Sequence, residues 1–209
     1  MKFYESEQKL VNLTDIRLGY NPRSSLGDLS SLKQSIQQVG LLDPITLRPN
    51  GHKSEDNKSY ELVSGHRRYK AFDDLGILQI PSNIRKLTDE EAFDIAFIDN
   101  KEREDYNPID EARHYKKAQE DYDLSTRKLA EKYGERGNGE SYKYYQRKLR
   151  LLELPKEMQN KIGTLSSQLT ETHCRHICKL LSKDKLQKKF EELYNSEKKD
   201  WDEKQLEDT

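Results

Sequence analysis

The sequence has few of the features expected of a secreted or membrane protein. It contains 2 cysteines in 209 residues, Cys174 and Cys178, which are too few for a disulfide framework. No apolar run approaches the roughly 20 residues of a membrane span, and the amino terminus has no apolar signal core. We therefore expect a cytoplasmic protein that does not enter a membrane.

Hydrophobic residues are also scarce, and the total charge is nearly balanced. Hydrophobic residues make up 33% of the chain and charged residues 36%, with a formal net charge of -1. Aliphatic and aromatic residues still recur throughout, which argues against global disorder. Residues 124–155 contain eight cations and four acids. This local surplus is typical of a patch that contacts nucleic-acid phosphates.

The periodicity predicts an α+β protein, with a small α/β module followed by an all-helical domain. In the first part, short apolar runs predict strands and repeats of three and four predict helices. The strands are expected at residues 45–47, 60–63 and 80–87, and the helices at 29–39, 67–75 and 89–100. Beyond residue 106 only helices are expected. We predict a module at 1–104, a helical domain at 105–182 and a charged helix or tail at 183–209.

Local signals set the predicted helix ends in the second domain. Asn107 is a good N-cap and Pro108 suits the first helical position, so a helix should run to about residue 122. Ser125 should cap a short helix that ends at Gly134, and Ser141 should begin the next one. A short helix followed by an amphipathic helix is the layout of a helix-turn-helix.

A strand that ends at Gly65 and leads into Arg67 and Arg68 predicts a phosphate site. The start of a helix leaves backbone N–H groups without intrahelical partners and carries partial positive charge. A glycine allows close approach of the backbone, and guanidinium groups add forked donors. An ordinary solvated first turn of a helix is the alternative for a motif this short.

The helix that begins near Ser141 has a polar face suited to reading DNA. Its inward face is predicted to carry Tyr142, Tyr145, Leu149 and Leu152. The outward face is then left with Lys143, Tyr144, Gln146, Arg147 and Arg150. Glutamine pairs well with adenine edges and arginine with guanine edges. A solvated basic helix in a bundle is the alternative interpretation.

Four motifs, in the family's order, resemble those of the ParB family of plasmid and chromosome partition proteins. Asn21-Pro22-Arg23 and residues 32–44 resemble its first box, and Gly65 to Ala71 resembles its Gly-x-Arg-Arg-x-(Arg/Lys)-Ala box. Residues 98–112 resemble its asparagine-containing motif and the helix start that follows, and residues 169–175 resemble its Leu-Ser-x-Gly-His-Ala-Arg segment. With the helix-turn-helix, these matches cover roughly residues 11–180.

The resemblance implies a nucleotide-operated clamp joined to a DNA reader. CTP with Mg²⁺ would bind the first module, and Asn100 would complete the metal site, as a side-chain carbonyl can. The implied nucleotide-binding residues are Arg23, Gly65, His66, Arg67, Arg68, Lys70, Ala71 and Asn100. The predicted DNA-binding residues are Arg127, Lys128, Lys143, Tyr144, Gln146, Arg147, Arg150 and Arg175.

Some residues depart from the family pattern. His66 and Asp99 stand where glutamates are usual, Glu102 replaces a glutamine, and Asp43 replaces a glutamine before proline. Cytosine selectivity and turnover therefore stay open, including a weak CTPase or NTPase activity. The module also resembles that of sulfiredoxin, but His66 occupies the cysteine position, so the thiolate chemistry is lost.

The sequence thus predicts a ParB-like protein that binds a centromere-like duplex DNA site, as a homodimer and with a ParA-type motor ATPase. It would be associated with the nucleoid or a plasmid. Little chain follows Lys183 for a dimer domain, so a truncated chain and dimerisation through the first module both stay open. A plasmid or phage regulator and an NTP-using enzyme are the alternatives.

A zinc site at His173, Cys174, His176 and Cys178 is disfavoured because the sequence has no second ligand pair. His114 and His52 are expected at the surface.

Overall fold

The computed structural model describes residues 5–51, 58–101, 107–134, 142–154, 156 and 159–160. The chain forms two compact units, Met1–Glu102 (unit 1) and Arg103–Thr209 (unit 2). The predicted Arg175 and the His/Cys cluster at 173–178 lie outside the described residues, as does His52. Within the described residues, no helix combines the length and apolar character needed to cross a membrane.

Unit 1 is built on a mixed five-stranded sheet. Its strands are β1 (Ser6–Asn12), β2 (Ile16–Leu18), β3 (Ile45–Pro49), β4 (Tyr60–Ser64) and β5 (Gln79–Arg85). They lie in the order β1-β5-β3-β4-β2. The pairs β1/β5 and β3/β4 are antiparallel, whereas β3/β5 and β2/β4 are parallel. This sheet carries three of the predicted strands and two, β1 and β2, that the sequence pattern did not reveal.

Three helices accompany the sheet: α1 (Ser30–Val39), α2 (His66–Asp74) and α3 (Asp89–Lys101). Their positions agree with the three predicted helices, and Gly40 ends α1 as expected. The main core joins α1 and α2 to one face of the sheet; its members include Ile36, Phe72, Leu47 and Leu62.

The third helix lies on the opposite face. Arg48 and Glu61 each neighbour a core residue along their strands, so alternation directs them away from that core. There Arg48 pairs with Asp89 at the start of α3 at 2.6 Å, and its other nitrogen contacts the Glu61 carboxylate at 3.0 Å. Arg17 of β2 reaches the same carboxylate at 2.6 Å. These ion pairs connect β2, β3, β4 and the beginning of α3.

Unit 2 is helical in its described part, which contains α4 (Pro108–Tyr122), α5 (Thr126–Tyr133) and α6 (Tyr142–Arg150). The predicted caps are confirmed: the Asn107 side chain accepts a hydrogen bond from Ile109 N at 2.8 Å, and Ser125 Oγ accepts one from Lys128 N at 3.3 Å. The helix α6 packs against both α4 and α5. The fold class is therefore α+β, as predicted.

Candidate functional site

The turn between β4 and α2 requires a glycine for two separate reasons. Gly65 is the N-cap of α2 and has φ +100°, a region that L-residues rarely adopt. A Cβ at this position would lie 2.7 Å from Ile45 Cγ2. Gly65 also has no side chain that could cap the first amides of α2. The start of α2 therefore lies close to the sheet, and its first backbone N–H groups form a set of donors suited to an anion.

The two arginines after this turn hold neighbouring loops. Arg67 donates from Nη1 to the Leu26 carbonyl and from Nη2 to the Asp28 carbonyl at 2.8 Å. Arg68 Nη1 donates to the Asp43 carbonyl at 2.7 Å and to the Pro44 carbonyl at 2.9 Å. A guanidinium has five N–H groups, so each arginine can hold a loop and still contact a phosphate.

Arg23 and Asn100, which are far apart in sequence, meet beside this turn. Arg23 Nε donates to Asn100 Oδ1, and Asn100 Nδ2 donates to the Ala96 carbonyl at 2.7 Å. The neighbouring Asp99 accepts a hydrogen bond from Ser64 Oγ at 2.6 Å. The fold thereby brings the end of α3, the end of β4 and the Arg23 loop together.

His66, the first residue of α2, is another of the predicted nucleotide-binding residues. Burial lowers the pKa of its imidazole, against the opposing effects of a hydrogen bond with the Gly19 backbone and of the Asp99 charge. Its Nε2 is buried and has no hydrogen-bond partner within the described part of the chain. Burial thus favours the neutral imidazole beside the turn.

The remaining two predicted nucleotide-binding residues, Lys70 and Ala71, differ in their surroundings. Lys70 pairs with Asp73 at 2.7 Å and Asp74 at 3.0 Å, both on its own helix. These carboxylates raise the pKa of Lys70. Ala71 is fully buried in the core of unit 1, so its side chain packs against the protein.

The polar face of α6 in unit 2 differs in part from the sequence prediction. Lys143 and Gln146 are exposed, and Arg147 and Arg150 are half-buried. Tyr145 is fully buried, as expected. Arg127 and Lys128 are exposed at the start of α5. The predicted DNA-binding residues at 143, 146, 147 and 150 thus all retain some accessible surface.

Two tyrosines on α6 were assigned to the wrong sides. Tyr142, predicted to point inward, is 36% exposed and lies beside the Arg127 guanidinium, 5.6 Å from its ring centroid. Tyr144, predicted to point outward, donates from its hydroxyl to Glu111 Oε1 at 2.9 Å. The reason is a buried acceptor on α4, which local periodicity does not reveal.

A buried residue that the sequence prediction missed is Glu111. Glu111 lies in the first turn of α4, where an acid favours the positive end of the helix, and the structure surrounds it with hydrogen-bond donors. A weak signal existed, because Glu111 and Tyr115 on α4, and Tyr144 and Lys148 on α6, are each four residues apart and share a helix face. His114, expected at the surface, is also fully buried, in edge contact with the rings of Tyr115 and Tyr133.

The comparisons with known proteins cover both units. The ParB N-terminal domain matches residues 3–101, and the ParB HTH domain matches residues 104–209. A nucleoid occlusion protein from Bacillus cereus is 35% identical over 92% of this chain. The chain spans 63% of that relative's length.

Two solved structures of the Caulobacter crescentus chromosome-partitioning protein ParB, truncated at its C-terminus, also align with the chain. The one complexed to the centromeric parS site is 28% identical, covers 81% of this chain and 84% of its own, and has a TM-score of 0.52. The one complexed with CTP-gamma-S is 28% identical, covers 83% of this chain and 92% of its own, and has a TM-score of 0.42. Because the family's N-terminal and HTH domains match residues 3–101 and 104–209 in order, this chain belongs to the ParB family.

Proposed function

We propose that the chain is a site-specific DNA-binding protein of plasmid or chromosome segregation, in which α6 reads a centromere-like duplex and unit 1 binds CTP with Mg²⁺. The observation that carries the DNA-reading role is the exposed polar face of α6, with Gln146 and the flanking cations on a helix anchored to α4 and α5. These side chains have the donors and acceptors needed for base edges in the major groove.

Two variants on the helical unit separate base reading from phosphate contact. Arg147→Ala should reduce discrimination between random duplex and the duplex site that wild type selects by about 1 to 3 kcal/mol, because a base contact is lost. Lys128→Ala should weaken binding to all duplexes alike and lower the salt slope by about 1, because a phosphate contact is lost. The assay is a selection from random duplexes followed by titrations at graded salt. Equal discrimination by wild type and Arg147→Ala would refute the reading role.

The convergence of Gly65, Arg67, Arg23 and Asn100 supports a nucleotide site in unit 1. The start of α2, where backbone amides lack intrahelical acceptors, and the guanidinium groups suit a triphosphate. The side-chain oxygens of Asn100 and Asp99 are hard ligands of the kind that Mg²⁺ takes. No group of three His, Cys, Asp or Glu ligands occurs in the described part, so the phosphates would have to supply further oxygens. Bound Mg²⁺ would neutralise phosphate charge.

Calorimetry with CTP, ATP, GTP and UTP in Mg²⁺ tests this site. We expect CTP binding that Arg67→Ala weakens at least about tenfold, since a charge-assisted phosphate contact is worth about 1.5 to 3 kcal/mol. Lys33→Met is the matched control, because Lys33 is a cation of the same unit that pairs with Asp74 on the surface. If none of the four nucleotides binds the intact protein, the proposed nucleotide site in unit 1 is refuted.

A second role, nucleoid occlusion, is favoured by the name of the 35% identical Bacillus cereus relative. Mapping of bound sites in the cell separates the two roles. A segregation mark should be concentrated at one locus, whereas a factor that acts over the whole nucleoid should have sites dispersed along it. The homodimer, the ParA-type ATPase partner and association with the nucleoid are proposed with the segregation role. Sedimentation and co-purification would test the first two.

A further inference from the structure

The carboxylate of Glu111 is the meeting point of α4 and α6. Its Oε1 accepts hydrogen bonds from Tyr115 at 2.7 Å and from Tyr144 at 2.9 Å. Its Oε2 pairs with Lys148 Nζ at 2.6 Å. Tyr115 belongs to α4 itself, whereas Tyr144 and Lys148 belong to α6. One carboxylate therefore holds two side chains of the reading helix.

This contact is buried and charged. Glu111 is 6% exposed and Lys148 is 7% exposed. Burial raises the pKa of Glu111, but the Lys148 charge and the hydrogen bonds from Lys148, Tyr115 and Tyr144 outweigh it and lower the pKa below its usual value. The carboxylate is therefore ionised at neutral pH. Buried ion pairs add little net stability over apolar packing, and a best-attested use of buried polar groups is to fix register.

The spacing of the two anchors determines which face of α6 is presented. Tyr144 and Lys148 are one turn apart, so together they restrict both rotation of the helix about its axis and sliding along it. At about 100° per residue, Gln146 lies about 180° from the mean direction of these anchors. Lys143 and Arg150 lie about 120° and 140° from it, and Arg147 about 80°. Gln146 therefore lies opposite the buried carboxylate, with Lys143 and Arg150 on the same outer side, whereas Arg147 lies at the flank of the helix.

A small rotation of this helix would be enough to disturb reading. The side chains of a helix extend about 5 to 6 Å from its axis, so a rotation of about 20° about that axis moves their ends by about 2 Å. Hydrogen bonds to base edges lose most of their energy over such a displacement. The orientation of α6 therefore has to be fixed before it meets the duplex.

We propose that Glu111 is a positioning residue for DNA recognition, which sets the rotation and height of α6 through Tyr144 and Lys148. The inference rests on the proposed DNA-reading function. It assigns sequence discrimination, in part, to a buried residue that touches no DNA. Affinity for random duplex depends mainly on phosphate contacts from flexible cations, so it should be much less sensitive to this anchor.

The test compares wild type, Lys148→Met and Lys148→Arg on the selected site and on random duplex. Methionine keeps an unbranched stem but removes the charge, whereas arginine keeps a cation that can pair with the carboxylate. We expect Lys148→Met to reduce the ratio of specific to random affinity at least about tenfold, a loss comparable with that of one base contact. We expect Lys148→Arg to restore much of that ratio. Affinity for random duplex should change less than about threefold, which is within the effect of one phosphate contact at moderate salt.

Thermal melts of each variant separate positioning from folding. A merely structural anchor would lower the melting temperature but leave the specificity ratio of the folded protein unchanged, and that result would overturn the proposal. If Lys148→Met does not fold, Tyr144→Phe removes only one hydroxyl and should still reduce the ratio; an unchanged ratio in that variant overturns the proposal equally. Failure of the wild type to select any duplex would instead overturn the proposed function.

Discussion

The most demanding prediction concerns Gly65, because the geometry there separates two energetic terms. Gly65→Ala forces an L-residue into φ +100° and puts a Cβ 2.7 Å from Ile45 Cγ2. The left-handed backbone costs about 1 to 2 kcal/mol for a residue with a Cβ. Overpacking against a buried neighbour costs about 1 to 3 kcal/mol more. We therefore expect a loss of about 2 to 5 kcal/mol in the stability of unit 1.

Gly76→Ala is the matched control, at the other end of α2. Gly76 has φ +68°, but a Cβ there would meet nothing within 4 Å. It should therefore lose only the backbone part, about 1 to 2 kcal/mol. At about 4 to 8 °C per kcal/mol for a domain of this size, Gly65→Ala should melt at least about 4 °C below Gly76→Ala.

Thermal melts followed by circular dichroism measure this difference. Hydrogen exchange of peptides from β3, β4 and α2 assigns it to unit 1. The double variant Ile45→Ala/Gly65→Ala should lose less than the sum of its single variants, because the methyl at 2.7 Å is gone. If Gly65→Ala and Gly76→Ala melt together, the steric reasoning about the turn is wrong.

Three further predictions concern stability elsewhere in the chain. Burial and the nearby Lys132 lower the pKa of His114 to about 3. The unfolded state, with a pKa near 6.5, then binds a proton that the folded state does not, so stability present above about pH 6.5 falls by about 2 kcal/mol at pH 5. Denaturant titrations above pH 6.5 and at pH 5 should show that the free energy of unfolding of His114→Phe no longer falls between these two conditions. Ser125→Ala should destabilise unit 2 by about 1 kcal/mol through loss of the α5 cap, with Ser125→Asp near wild type in the same titrations. Glu61→Gln should destabilise unit 1 by about 1.5 to 3 kcal/mol, since the carboxylate neutralises Arg17 and Arg48, and a wild-type melt would contradict this.

Local rules were sufficient for most element boundaries. The turn at Gly65, the cap at Asn107 and the cap at Ser125 lie where the sequence predicts them, because each depends on residues that are neighbours along the chain. Strands β1 and β2 were missed because their stability comes from pairing with distant strands. For example, Ser6 of β1 lies opposite Arg85 of β5. A short strand with mostly exposed side chains has little periodic signal of its own.

The chain sequence by itself determined the order of the elements, the glycine turn with its two arginines and the basic face of α6. It also carried the four family motifs that predicted ParB membership. Only the tertiary structure decided how these residues are used. The Arg67 guanidinium reaches carbonyls about forty residues away, at Leu26 and Asp28, and Tyr144 turns inward to a carboxylate 33 residues earlier in the chain. Helical periodicity assigns the more polar residues to the outward face of a helix. A buried acceptor on another helix can reverse that assignment, because a hydroxyl can be buried when its hydrogen bond is satisfied inside the protein.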